Sequence, residues 1–402
     1  MLRVSTQATS PDRNTGSMSR RGLLGSAAAT LLVAGCDMPA MATGGAGRAV
    51  DSSRPVTVGL MVPGGGASQD LQVVARNLEN AARLAMGDLQ GVQLDLRVYQ
   101  TAGDSGRAQA LAAQAINDGA GVIVGPLLAS EARAVGAVAA QAGVNVLSFS
   151  NNPDAASGNV FLLGAMFENT ASRLLGFAAS QGKGRIMVIS EQNEAGQVAE
   201  RAIQRAAQRT GATIVATQSY AFSQQGIVDA LPRVSAAARA SGAQSILMTA
   251  GSEGALPLLA ELLPQNSVSR RDYQFMGLTR WDIPPATLQL SGLQGGWFAM
   301  PDPQLTAGFE SRYSAAYGTG PNPIASLGYD AIAAVGALLR RGGSTPFSAE
   351  AITQPAGFAG VAGVFRFRRD GSNERGLAVA EIRDQRKVIL SPAPRSFAAG
   401  AS

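Results

Sequence analysis

Two residue types that do much of the chemistry in enzymes are nearly missing from this chain, which has one cysteine, Cys36, and no histidine among 402 residues. A lone thiol cannot form a disulfide within the chain, and the missing histidines exclude a Ser-His-Asp triad, a Cys-His dyad and a histidine-ligated zinc site. The run Gly64-Gly65-Gly66 lacks the Lys-Ser/Thr pair of a phosphate-binding loop, so we interpret it as a turn. The residue composition does not exclude catalysis by paired carboxylates, although no cluster of acidic residues stands out. We expect no catalytic residues, no metal and no cofactor.

Cys36 lies directly behind a segment with the features of an export signal. Arg20 and Arg21 precede the apolar run Gly22–Val33, which is too short to span a bilayer stably. The four residues Val33-Ala34-Gly35-Cys36 resemble the lipobox of bacterial lipoproteins, which implies that Cys36 is acylated and becomes the first mature residue. The stretch Ser19–Leu24 also resembles a twin-arginine signal, which leaves the export route open. The alternative for Cys36 is a buried free thiol.

These features predict a tethered extracytoplasmic protein. We predict a signal peptide at 1–35, with a possible true start at Met18, and a lipidated tether rich in small residues at 36–53. The lipid anchor would hold the protein on the periplasmic side of a membrane, inner or outer. Removal of residues 1–35 would lower the formal charge from +5 to +2, and a near-neutral chain with scattered arginines does not indicate nucleic-acid binding.

Beyond the tether, short apolar strands alternate with helical segments in two consecutive series. In the first series, Val74, Leu78, Ala82, Ala85 and Leu89 recur at helical spacing after the strand Val56–Val62. Short continuous apolar strands between helices indicate parallel sheets covered on both faces. The predicted fold class is therefore α/β, with two doubly wound parallel-sheet lobes joined by a hinge.

The predicted lobes each combine two stretches of the chain. We assign residues 54–166 and 299–350 to lobe 1, residues 167–298 and 351–392 to lobe 2, and residues 393–402 to a tail. Near the end, we predict a hairpin in which Gly363–Arg368 pairs with Leu377–Arg383 across the turn Asp370-Gly371.

The order of strands and helices, and the residues in the segments that connect them, resemble the type I periplasmic binding proteins of the leucine/isoleucine/valine-binding class. The resemblance covers nearly all of Arg54 to Ile389. It is carried by four stretches, Val56–Pro63, Gly121–Ser130, Gly143–Ser150 and the Gly-x-x-Gly…Phe…Asp-Gly pattern of Gly360–Gly371. It implies the two-lobed fold and a ligand cleft between the lobes.

A narrower resemblance is to lipoproteins known as penicillin-binding protein activators, which stimulate peptidoglycan synthases by contact and have no catalysis of their own. The stretches that carry it are Val146–Pro153, Val160–Gly164, Gly277–Asp282, Leu293–Ala299 and Ser326–Asp330. The chain departs from that branch at Ser190–Gly196, where an aromatic-Gly pair is usual, and this departure puts an inherited cleft ligand in doubt.

The candidate ligand-binding residues of lobe 1 follow its strands, because ligands of open parallel sheets bind beyond the carboxyl ends of the strands. Ser130 lies near the start of a helix, where its hydroxyl and backbone N–H groups could hold a carboxylate. Ser148 and Ser150 end the next strand and could add donors. Ser130 could instead cap its helix, with Glu131 favouring the same terminus.

The candidates in lobe 2 are Glu191, Ser252, Glu253, Thr279 and Trp281, which also follow strands. Glu191 or Glu253 could pair with the ammonium group of an amino acid, although loop acids are commonly solvated. Trp281 and Trp297 fit a cleft wall, a contact between lobes, a partner-binding patch or the core.

Two functions fit these observations. The first is a non-catalytic penicillin-binding protein activator, whose partner is a peptidoglycan synthase; the narrower motifs favour it. The alternative is a receptor that delivers amino acids or similar small polar solutes to an ABC permease, and it is favoured by the commonest use of the fold.

Overall fold

The structure, a computed structural model, describes residues 47–397. The predicted signal peptide, Cys36 with its lipidation and most of the tether lie outside these residues. Within the described residues, no helix is both long and apolar enough to cross a membrane.

The first sheet has five parallel strands in the order β2-β1-β3-β4-β5. Its strands are short apolar runs, and helices cover both faces: Leu60 and Val124 face one core, and Met61 and Ile123 face the other. The elements in chain order are β1 (Val56–Val62), α1 (Gln69–Asp88), β2 (Leu94–Gln100), α2 (Ser105–Asn117), β3 (Val122–Val124), α3 (Ala129–Gln141), β4 (Asn145–Ser148) and β5 (Val160–Leu162).

The second sheet has seven strands in the order β15-β14-β10-β9-β8-β6-β7, of which β7, β6, β8, β9 and β10 are parallel. Asn193 and Ser223 begin two of its helices by accepting hydrogen bonds from backbone N–H groups of the first turn. The elements up to β10 are α4 (Phe167–Ser180), β6 (Arg185–Glu191), α5 (Glu194–Thr210), β7 (Thr213–Tyr220), α6 (Gln224–Ala240), β8 (Ser245–Met248), α7 (Leu256–Gln265), β9 (Gln274–Gly277) and β10 (Trp297–Met300).

After β10 the chain returns to the first sheet and then crosses again to the second. Ile332 and Val335 lie in the second α-helix after β10 and share a core with Val58 and Leu60 of β1. The remaining elements are α8 (Pro303–Tyr317), α9 (Ser326–Arg340), α10 (Ala349–Ile352), β11 (Phe358–Gly360), β12 (Gly363–Phe367), β13 (Asn373–Arg375), β14 (Ala378–Arg383) and β15 (Arg386–Ser391). The predicted α/β class with parallel sheets is confirmed.

The predicted hairpin near the end is wrong in its second strand. β12 pairs with β13, and Asp370-Gly371 lies in the connection between them, where Gly371 adopts a φ of +80°. β14 instead pairs antiparallel with β10 in the second sheet. Alternation predicts a strand but not its partner, and here the chain leaves one sheet for another immediately after β13.

The small sheet β11-β12-β13 bears on the predicted division into lobes. Phe358, Phe365 and Phe367 pack in the same core as Val58 and Leu60 of β1. We therefore propose that residues 358–375 belong with lobe 1, and that the second sheet takes only β14 and β15 from the predicted stretch 351–392.

The end of the predicted tether contacts the first lobe. The Val50 backbone N–H donates to the Ser344 carbonyl at 2.9 Å, and Arg48 Nη1 donates to the Ile116 carbonyl at 3.1 Å. Residues 48–50 therefore do not form part of a free linker, in contrast to the predicted tether boundary at Ser53.

Candidate ligand-binding site

A cavity of about 370 Å³ lies where the carboxyl ends of strands from both sheets meet. Phe149 and Ser150 follow β4 of the first sheet, and Arg280 and Ile283 follow β9 of the second. The segments that connect the sheets complete it, since Gly164, Ala165, Pro301 and Leu377 also line it. This is the place where an open parallel sheet binds its ligand.

The walls of this cavity are largely apolar. Its large apolar side chains are those of Leu127, Phe149, Ile283, Met300, Ile324, Leu327 and Leu377. The charged side chains that line it are those of Arg280 and Arg375, and no acidic side chain of residues 47–397 does so. An apolar pocket with a few convergent polar groups is the usual form of a small-molecule site.

Arg280 is held in place by a carboxylate behind the cavity wall. Its Nε and Nη2 lie 2.6 Å from Oδ1 and Oδ2 of Asp282, and Lys387 Nζ lies 2.9 Å from the same Oδ2. Burial alone would raise the pKa of Asp282, but hydrogen bonds and charges from Arg280 and Lys387 outweigh it and hold that pKa below its usual value. The Arg280 side chain stays 31% exposed, and this pairing leaves Nη1 for a further acceptor.

Each of the three side-chain nitrogens of Arg375 has an acceptor within the protein. Its Nη1 lies 3.2 Å from Asp330 Oδ2, and Nη2 and Nε donate to the Leu163 carbonyl at 2.6 and 3.0 Å. The other Asp330 oxygen accepts from the Val361 N–H at 2.8 Å. Burial raises the pKa of Asp330, and the charge of Arg375 offsets part of that effect. This cluster joins α9 to two of the segments that connect the sheets.

Of the three serines predicted in lobe 1, Ser150 lines the cavity. Its Oγ accepts from the Asn152 N–H at 3.2 Å, so its own hydrogen can be donated to a ligand. Ser148 is buried and donates to the Pro126 carbonyl at 2.9 Å, which positions this loop.

Ser130 is exposed in the first turn of α3 and does not line the cavity. It does not cap its helix either, because α3 begins at Ala129 and Glu131 Oε2 accepts from the Leu128 N–H at 3.2 Å. The capping alternative for Ser130 is therefore wrong, while the expected contribution of Glu131 at this terminus agrees with the structure.

The two acids proposed for an ammonium group lie elsewhere. Glu191 accepts hydrogen bonds from the Tyr220 hydroxyl at 3.2 Å and from Asn193 Nδ2 at 3.1 Å. Glu253 is exposed, and neither acid lines the cavity. Ser252 and Thr279 shape the loops around the site, since Ser252 donates to the Arg280 carbonyl at 3.1 Å and Thr279 to the Ala250 carbonyl at 3.2 Å.

Both tryptophans are core residues. Trp281 is fully buried, and its ring occupies the space that a Cβ on Gly277 or Gly296 would need. Trp297 packs edge-on against Phe177 with ring centroids 4.9 Å apart. Of the readings open from the sequence, core burial fits Trp281; it does not line the cavity.

Sequence reasoning missed the two arginines. Arg280 lies between two of the candidates, Thr279 and Trp281, so its position after β9 was an available signal. Arg375 comes from β13 at the far end of the chain, and no local pattern links it to this site.

A larger groove of about 680 Å³ lies between α5 and the loop that begins at Asn151. Two of its arginines are paired within the groove, because Glu168 lies 2.7 Å from Arg205 Nε and 2.6 Å from Arg209 Nη1. The groove also extends along α5 as far as Arg209 rather than lying only at the strand ends of both sheets. We therefore regard the smaller apolar cavity as the better candidate. Among the described residues, no group of three or more acidic, cysteine or histidine side chains could hold a metal ion.

Comparisons with known proteins agree with this architecture. A solved protein from Rhodospirillum rubrum, thought to be a branched-chain amino acid ABC transporter, superposes with a TM-score of 0.71 at 20% identity, covering 84% of this chain and 100% of its own. A Desulfitobacterium hafniense ABC transporter substrate-binding protein in complex with Leu gives 0.61 at 20% identity, covering 84% and 100%. An R. palustris solute-binding protein in complex with benzoate gives 0.56 at 16% identity, covering 87% and 99%. At these identities the likeness shows the type I fold alone.

No curated protein matches the chain. The family model described as periplasmic binding protein matches residues 55–387, nearly the whole described region. The chain belongs to the periplasmic binding protein family.

Proposed function

We propose that this protein is a non-catalytic receptor that takes a small molecule into the cavity between its sheets and presents it to an ABC permease. The observation that carries the proposal is the composition of the cavity wall, to which both sheets and the connecting segments contribute. A ligand that touches both lobes stabilises the arrangement in which they face each other, which a permease can recognise.

The solved neighbours support capture without identifying the ligand. One holds Leu and another holds benzoate, so the fold accommodates both a zwitterion and an aromatic anion. The ligand of this chain must therefore follow from its own side chains.

Lipidation of Cys36 would keep the receptor at the membrane. Two or more acyl chains anchor firmly, because each buried methylene contributes about 0.8 kcal/mol. Labelling cells with an alkyne fatty acid should mark the wild-type protein and not Cys36→Ser, and labelling of that variant would contradict the anchor.

The cavity can be tested by filling it. Ala165 lines the cavity and is exposed to it, so Ala165→Trp should block the site while leaving the fold intact. Ala110→Trp on the exposed face of α2 is the matched control. A ligand at 100 times its Kd stabilises a fold by about 2.7 kcal/mol, so thermal shift against amino acids, small carboxylates and short peptides is a suitable screen. We expect at least one compound to raise the Tm of wild type and Ala110→Trp but not of Ala165→Trp. An equal shift in Ala165→Trp would contradict the proposal.

A second candidate is the penicillin-binding protein activator, which the exposed Phe222 favours. Phe222 is 63% exposed in the turn that follows β7, an edge strand of the second sheet, and Val228 in α6 is also exposed. Aromatic residues on an exposed edge are suited to protein contacts. In this case the purified protein should stimulate glycan polymerisation by a peptidoglycan synthase, and Phe222→Ser should reduce the effect. No stimulation by the wild type would exclude this candidate.

A further inference from the structure

We infer that the cavity selects a small apolar monocarboxylate and discriminates against the α-amino acid of the same shape. This inference names the ligand class for the proposed receptor function and rests on it. The observations that carry it are the apolar wall, the two arginines that line the cavity and the absence of acidic side chains of residues 47–397 from its lining.

The wall fits a branched aliphatic or aromatic body. Phe149 and Leu127 approach from the first sheet, and Ile283 and Met300 from the second. A volume of about 370 Å³ lies within the usual range for small-molecule sites, so the body of the ligand would lose most of its contact with water.

The charge of Arg280 is only partly cancelled by its partner. Asp282 carries at most one negative charge and is shared by Arg280 and Lys387, of which only Arg280 lines the cavity. Arg375, in contrast, has Asp330 to itself. Both carboxyl groups lie behind their arginines, with exposed side-chain fractions of 1% and 0%. The cavity therefore presents a guanidinium to its contents, and a single anionic group on the ligand would balance the charge.

Two donors from opposite lobes are available to that anionic group. Arg280 Nη1 is the guanidinium nitrogen not bonded to Asp282, and the Ser150 hydroxyl hydrogen is not used by its bond to Asn152. Arg375 contributes charge, but each of its three nitrogens already donates to the Leu163 carbonyl or to Asp330.

An amino acid would bring an ammonium group that this cavity does not match. The Asp282 oxygens already accept from Arg280 and Lys387, and the Asp330 oxygens accept from Arg375 and Val361. Burying an ammonium group without a carboxylate partner is unfavourable, and the nearby guanidinium would repel it.

The test compares four molecules of one shape on the wild-type protein by isothermal titration calorimetry. They are 4-methylpentanoate, leucine, 3-methylbutylamine and the uncharged 4-methylpentanamide. We expect 4-methylpentanoate to bind at least about tenfold more tightly than each of the others, a difference of about 1.4 kcal/mol. Leucine binding as tightly as 4-methylpentanoate, or the amide doing so, would overturn the inference.

A variant tests the assignment of the charge to Arg280. Arg280→Gln should weaken 4-methylpentanoate binding at least about tenfold, whereas Arg270→Gln, a change in an exposed arginine outside the cavity, should leave it unchanged. Circular dichroism at the titration temperature shows whether each variant is folded. If Arg280→Gln is not folded, the comparison of the four compounds on the wild-type protein decides the ligand class. Unchanged binding by folded Arg280→Gln would overturn the assignment.

The outcomes separate this inference from the receptor function. Tight leucine binding that Ala165→Trp abolishes would overturn the ligand class and keep the receptor. Binding of any of the four compounds that Ala165→Trp leaves intact would count against both. The absence of any binding among the four would overturn the ligand class, and the broader thermal-shift screen would then decide the receptor function.

Discussion

Arg280 and Arg375 line the same cavity and are each paired with a buried aspartate, yet their environments differ. Arg375 is 6% exposed and uses all three nitrogens on Asp330 and the Leu163 carbonyl. Arg280 is 31% exposed and directs two nitrogens to Asp282, which Lys387 also contacts. Arg375 is therefore surrounded by protein, whereas Arg280 has a free edge at the cavity.

The difference indicates that lining a cavity is not enough to make a residue a ligand contact. A buried guanidinium whose three nitrogens all donate to the protein stabilises the fold, because removing it leaves a buried charge unpaired. A guanidinium with a free edge can accept a new partner without losing an old one. We therefore assign Arg375 to the joint between the sheets and Arg280 to the ligand.

The largest effect is expected from Arg375→Met. It leaves Asp330 buried without its cation, and breaking such a pair typically costs about 3–5 kcal/mol of unfolding free energy. The control is Arg312→Met, because Arg312 and its partner Asp88 are both exposed and such pairs contribute about 0–1 kcal/mol. Urea denaturation measures both, and equal losses would contradict the assignment of Arg375.

Arg280→Met should be less destabilising. Asp282 keeps Lys387 as a partner at 2.9 Å, so the expected loss of unfolding free energy is about 1–3 kcal/mol. The same urea series tests this value. A loss larger than that of Arg375→Met would reverse the comparison between the two arginines.

The two aspartates should give stability opposite dependences on pH. The folded pKa of Asp282 lies below its value of about 3.9 in the unfolded chain, so its charge adds stability above that pH that is lost as the pH falls through the folded pKa. The folded pKa of Asp330 is raised, so its effect has the opposite sign. The contribution of Asp330 to the stability of the fold is fully present below about pH 3.9 and is lost as the pH rises through the folded pKa.

Asp282→Asn and Asp330→Asn remove these contributions separately, and each variant is the control for the other. The stability advantage of wild type over Asp282→Asn should grow with pH up to about 3.9, whereas its advantage over Asp330→Asn should shrink above that pH. Urea denaturation between about pH 3 and 7 measures both. Slopes of the same sign would show that one of the two environments is described wrongly.

The smallest effect is expected from Lys387→Met. The Lys387 side chain is 44% exposed, and Asp282 retains both bonds to Arg280, so the loss should stay below about 1 kcal/mol. Ligand binding should also remain within about threefold of wild type, since Lys387 does not line the cavity. A loss comparable with that of Arg280→Met would indicate that the lysine, not the arginine, holds Asp282.

Local patterns were enough to predict the alternating fold. Buried runs such as Val122–Val124 and Ser245–Met248 are strands with helices on both sides, and the predicted face of α1 is buried at Leu78, Ala82 and Ala85. The partner of the β12 strand could not be predicted, because alternation is the same for a strand in either sheet.

The site was harder to predict because it depends on contacts between distant parts of the chain. Ser150 lines the cavity because it follows β4, as the strand-end rule predicts, and its ligand contact stays a prediction. Glu191 and Glu253 obey the same rule but lie away from the cavity. Arg375 reaches it through the last crossing between sheets, and Trp281 is taken into the core because Gly277 and Gly296 leave space for its ring.

A crystal structure of the protein with 4-methylpentanoate tests the central claim most directly. We predict that the ligand occupies the cavity between the sheets, with a carboxylate oxygen within about 2.7–3.2 Å of Arg280 Nη1 and its alkyl chain against Phe149 and Met300. A ligand bound in the groove beside α5, or one in the cavity with its carboxylate turned away from Arg280, would contradict the account.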